Sequence, residues 1–173
     1  MTRGSRVARL VRLYLPDLVY GANDGIITTF AVVTGVIGAS LSERVILILG
    51  FANLIADGFS MGASNYLSRR SHAEESERPE PRVAVRHALG TWIGFLTAGL
   101  VPLVAYLVPF PDGGRFALAI VLTLVTLLAV GASRTLVTRV GWLRSGAEML
   151  LVGALAAAVA YGVGALAATL TGG

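Results

Sequence analysis

The chain predicts an all-α, polytopic membrane protein with five transmembrane helices, and three observations carry that prediction. Hydrophobic residues make up 55% of its 173 residues, and the mean hydropathy is +0.74, which leaves too little polar surface to cover a soluble globule of this size. The apolar residues gather into five runs, near 18–40, 44–67, 87–109, 115–137 and 144–169, each long enough to cross a hydrocarbon core of roughly 30 Å. The alternating pattern of a membrane β-barrel is absent, and unpaired backbone cannot face lipid, so the runs are helices.

Residues 3–15, RGSRVARLVRLYL, read as a basic amphipathic helix lying on an anionic membrane surface before the chain turns inward at Pro16; a solvated leader is the alternative. No cleavable signal peptide is evident, since the basic start runs into a long span that contains Asp24. SLSE at 40–43 reads as a helix stop followed by an N-cap, PFPDGG at 109–114 as a turn, and 138–142 as a short basic corner. The 68–86 connection, SRRSHAEESERPEPRVAVR, is an acidic linker and the only sizeable soluble segment, so residues 1–173 are treated as one transmembrane domain. Glycines spaced by four, Gly21/Gly25, Gly58/Gly62 and Gly90/Gly94, predict close helix contacts, and the Ala- and Gly-rich fifth run fits the same reading.

All 14 basic residues are arginine, and their positions fit membrane anchoring better than nucleic-acid binding. The N-terminus, the second-to-third connection and the fourth-to-fifth connection hold all of them except Arg44 and Arg115. The positive-inside rule therefore places the N-terminus in the cytoplasm and the C-terminus across the membrane, and the short linker favours a prokaryotic plasma membrane. With no cysteine, disulfides, thiolate nucleophiles and cysteine-based zinc or iron–sulfur sites are excluded. Neither His72 nor His87 belongs to a metallohydrolase helix motif, so no enzyme is expected.

Asp24 and Asp57 lie inside runs otherwise fit to cross a bilayer. A carboxylate there costs about 2.5–3.5 kcal/mol on insertion scales and usually marks an ion or proton pathway. Asp17 and Asp24 are two turns apart on one face, and Asn53, Asp57, Ser60, Met61 and Ser64 form one polar stripe on the second span. Amide and carboxylate oxygens with a thioether suit a transition-metal ion better than calcium or magnesium. Asp24 and Met61 come out level, about 7 residues or on the order of 10 Å inside the cytoplasmic boundary, with Asp57 one turn deeper. Glu148 follows Arg144 by four residues, where an ion pair competes with a transport role. In the linker, Glu74, Glu75, Glu77 and Glu80 with His72 either capture cations weakly or simply solvate the loop.

The segments GANDGIITTFAVVTGVIGA, LGFANLIADGFSMGASNYLS and WLRSGAEMLLVGALAAAVAYGVG resemble the vacuolar iron transporter family, in particular its short bacterial and nodulin-like members. The resemblance covers the first, second and last spans in order. It implies a dimeric exporter that moves ferrous iron, and sometimes manganese, out of the cytosol by proton antiport. The metal is then transported substrate, with no resident cofactor. Asp24 matches the family's first-span transport carboxylate and Met61 its second-span methionine. Asp17 falls where some members carry a glutamate near the entrance, and Asn53 replaces an acidic residue of certain members. The large cytoplasmic metal-binding domain of other members is missing, because a linker of 19 residues cannot form it. The rival from another class is a non-transporting scaffold or partner subunit whose aspartates only accept interhelical hydrogen bonds.

Overall fold

The computed structural model describes residues 3–71, 80–111, 113–136 and 140–172. These form five helices: α1 Arg3–Gly38, α2 Glu43–Ser71, α3 Pro81–Leu107, α4 Arg115–Arg134 and α5 Trp142–Thr171. Each carries a stretch long and apolar enough to cross a membrane. The expected all-helical, five-span architecture is therefore present.

The helix bounds depart from the sequence expectation most clearly at two prolines. The chain does not turn at Pro16; α1 runs continuously through it. A proline inside a helix removes one hydrogen bond and crowds the preceding turn, but the next residue, Asp17, is clamped by α2 and α3 and holds the helix on course. α3 begins at Pro81, ahead of the expected 87. Proline suits the first helical position because its fixed φ is already helical and its missing N–H would be unpaired there.

The α1–α2 turn follows from local chemistry. Ser40 takes a left-handed φ of 56°. The Ser40 N–H then bonds the Ile37 carbonyl, and the Leu41 N–H reaches back to the Val36 carbonyl, closing the last turn of α1 as a Schellman cap.

α1 is the hub, packing against each of the other four helices. Its tightest seam is with α3. A Cβ on Gly21 would overlap the Thr91 carbonyl oxygen, one on Gly25 that of Phe95, and one on Gly94 that of Leu18. These glycines let two backbones touch where lipid supplies no hydrophobic push between helices. Spacing alone does not say what Gly21 and Gly25 face; here α3 of the same chain occupies that side. Phe30, Val33, Leu54, Phe95, Leu103 and Tyr106 fill the main core between α1, α2 and α3. Arg69, Arg70, Arg82, Arg86, Arg134 and Arg144 all lie toward one end of the bundle, called the basic end below.

Candidate metal-ion pathway

The α1–α2 seam is built differently from the α1–α3 seam. Because α1 is drawn onto α3 by glycine contacts, α2 meets it less closely, and two cavities open along the line between them. The first, about 580 Å³, is lined by Val32, Gly35 and Val36 of α1 and by Leu49, Asn53 and Asp57 among the α2 residues. The second, about 400 Å³, lies toward the basic end and is lined by Tyr20, Met61, Ser64, Asn65, Ser68 and Arg69. On α2 the first cavity stops at Asp57 and the second starts at Met61, one helical turn away.

The sequence-predicted ligands gather at that junction. Asp24 is one turn from Tyr20 on α1, is half-buried, and lies near enough to Asp57 for their charges to interact. Asp57 is exposed at the first cavity and Met61 is partly buried at the second. Asn53 shares the Asp57 cavity, and among the described residues its amide nitrogen is buried without a hydrogen-bond partner. Asn23, beside Asp24, likewise keeps its amide oxygen buried and unpartnered. An amide nitrogen can only donate, so at Asn53 it is the amide oxygen that can face a cation. Two carboxylates, an amide and a thioether form a donor set suited to a first-row divalent ion. Among the described residues no three His, Asp or Glu side chains stand close enough to hold a metal.

The remaining sequence candidates lie elsewhere. Asp17, only 4% exposed, sits near the basic end with both oxygens engaged. Its Oδ1 accepts from Asn65 Nδ2 and from Arg69 Nη2, each at 2.9 Å. Its Oδ2 lies 2.5 Å from His87 Nδ1, which must carry the proton because a carboxylate only accepts. Glu148 is half-exposed on α5, 3.2 Å from Arg144 Nε and 3.9 Å from Arg134 Nη1. Helix α5 does not pack against α2 among the described residues, but it packs on α1, where Met149, next to Glu148, shares a core cluster with Ile26. Glu80 is exposed at the N-cap of α3 and makes no side-chain cap bond. His72, Glu74, Glu75 and Glu77 lie outside the described residues.

Asn65, Arg69, His87 and Thr91, which join Asp17 in one buried network, were not selected from sequence. Asn65 and Arg69 follow Met61 by four and eight residues and so continue its stripe, which was a usable signal. Nothing comparable marked His87 as the partner of Asp17, because that contact joins residues on different helices.

A family model described as the VIT family matches residues 15–82 and 74–165. Vacuolar iron transporter 1 of Eucalyptus grandis is 24% identical over 209 aligned positions, covering 85% of this chain and 84% of the relative. Vacuolar iron transporter homolog 1 of Oryza sativa subsp. japonica is 29% identical, covering 87% of this chain and 72% of its own length. A vacuolar iron transporter of Toxoplasma gondii is 41% identical over 69 positions, which cover 40% of this chain and 23% of that protein.

Proposed function

We propose, from the premise that the chain belongs to the VIT family, that this metal-ion transporter moves ferrous iron, manganese or both out of the cytosol along the α1–α2 seam, in exchange for protons. The observation that carries this reading is the pair of cavities whose α2 linings end at Asp57 and begin at Met61, one turn apart, with Asp24 near enough to Asp57 for their charges to interact. The basic end is the cytoplasmic entrance, by the arginine asymmetry. A hydrated ion enters the Met61 cavity, exchanges water for Asp24 and Met61 with Asp57 and Asn53 alongside, and leaves through the cavity toward Leu41 and Leu49. Ligand binding requires the carboxylates to be deprotonated, so metal and proton compete for the same oxygens. That competition is the chemical basis of an exchange cycle.

A homodimer completes the site in this reading. Asp57 is exposed on a helix whose outer face also presents Ile48, Ile55 and Phe59, the last 70% exposed. A carboxylate directed at lipid is costly, whereas a second copy would cover it and could add donors of its own.

The test is divalent-ion uptake into proteoliposomes with an imposed pH gradient. Asp24→Asn should lower the rate by at least tenfold. Met61→Leu, which keeps volume and removes sulfur, should raise the KM several-fold. Full rates for both variants would remove the assignment, and rates unaffected by collapsing the proton gradient would leave facilitated diffusion in place of antiport.

A further inference from the structure

One residue lining the entrance cavity has the wrong charge for a cation path. Arg69 shares the cavity with Met61, two turns further toward the basic end on the same stripe of α2. A guanidinium stays protonated at any physiological pH. Its repulsion of a divalent ion across a cavity of about 400 Å³ exceeds thermal energy wherever the surroundings are less polar than bulk water.

The side chain is tied back. Arg69 Nη2 donates to Asp17 Oδ1 at 2.9 Å and Nε to Asn65 Oδ1 at 2.9 Å, while Asn65 Nδ2 donates to the same Asp17 oxygen at 2.9 Å. The three residues close a ring. Asp17 is fixed in turn by His87, whose ring packs on Tyr14 with centroids 4.9 Å apart. Asn65 Nδ2 also lies 2.8 Å from Thr91 Oγ1 on α3, so the ring is anchored on three helices. The Arg69 side chain is 38% exposed and that of Asp17 5%, so the guanidinium stands between the carboxylate and the cavity.

We propose that Asp17 is a positioning residue for transport: it cancels the charge of Arg69 and holds the guanidinium against the cavity wall, leaving the entrance open to a divalent cation. It acts on the ion through Arg69 and is not itself one of the ion's ligands. The inference rests on the transport reading above.

The experiment is Mn²⁺ uptake into proteoliposomes by the unmutated chain, Asp17→Asn, Arg69→Gln and the double variant, with folding checked by monodisperse elution and thermal midpoint. Asp17→Asn should raise the KM for Mn²⁺ at least tenfold, and 0.5 M salt should recover part of that loss. Arg69→Gln should stay within about threefold of the unmutated chain. The double variant should return to the Arg69→Gln level. A ligand role for Asp17, or a purely structural one, would leave the double variant as slow as Asp17→Asn, and that result overturns the inference, as would full activity of Asp17→Asn. Asn65→Ala removes one tether while leaving Asp17 in place, which covers the case where Asp17→Asn does not fold. It should cost about threefold, and failure of added Arg69→Gln to relieve that loss would also overturn the inference. Absence of uptake by the unmutated chain overturns the transport reading and this inference with it, whereas uptake with failed rescue overturns this inference alone.

Discussion

Helix α1 has two seams of opposite character. Against α3 it is sealed: Gly21, Gly25 and Gly94 place backbone on backbone, with no room for one further carbon atom. Against α2 it is open, with two cavities and a line of Asp, Asn, Met and Ser side chains. The contrast teaches that the same small-residue chemistry serves both ends. By committing one face of α1 to tight packing, the fold leaves the adjacent face free to line the two cavities. Rigidity on one side fixes where Asp24 stands on the other.

The largest expected effect comes from filling the sealed seam. Gly25→Ala drives a methyl into the Phe95 backbone and should destabilise the protein by about 3 kcal/mol or more, because backbone cannot move aside as a flexible side chain can. At Gly35, which lines the first cavity, an added Cβ would meet only the Ala160 carbonyl of α5, at an ordinary 3.5 Å. Gly35→Ala should therefore stay within about 1 kcal/mol of the parent. Denaturation midpoints of the two variants in one detergent decide the point, and equal losses would erase the distinction between the seams.

Filling the open seam should do the reverse. Ser64 is exposed in the cavity it shares with Met61 and Arg69. Ser64→Trp should reduce uptake at least tenfold by occupying the cavity while changing stability by about 1 kcal/mol or less, in keeping with a surface substitution. The smallest effect belongs to a residue on neither seam. Glu148→Gln breaks partly exposed ion pairs to Arg144 and Arg134, should alter stability by about 0.5 kcal/mol or less, and should leave uptake within twofold. A large loss of uptake in that variant would bring α5 into the pathway.

Sequence periodicity made the five spans and the α2 stripe legible, because hydropathy and helical spacing are local properties. Asp24, Asp57 and Asn53 could be picked out for the same reason, since polar atoms in an apolar run are conspicuous wherever the run ends up, whereas Met61 was legible only through its place on the Asp57 stripe and the family resemblance. What a single sequence could not show was which helix each glycine pair faces. Gly21 and Gly25 fit an interface between copies as well as one with α3, since spacing specifies a face and not its occupant. Asp17 illustrates the same limit. Spacing puts it on the Asp24 face and the family resemblance puts it near the entrance, but the partners of its oxygens, Asn65, Arg69 and His87, lie 48, 52 and 70 residues away along the chain. The helix through Pro16 is a third case, in which tertiary clamping at the next residue overrides a local breaking signal.

The central claim is that the α1–α2 seam is a water-accessible route for a divalent ion, and the natural absence of cysteine gives a direct test. Single cysteines at Ala56 and Ser64 sample the two cavities, and one at Val159 samples the exposed outer face of α5. Thiol reagents attack the thiolate, which forms in water and not in lipid. A small water-soluble thiol reagent should label the Ala56→Cys and Ser64→Cys variants, with Mn²⁺ slowing both reactions, and should leave Val159→Cys unmodified. Labelling of neither seam position, or labelling that Mn²⁺ does not change, would contradict the account.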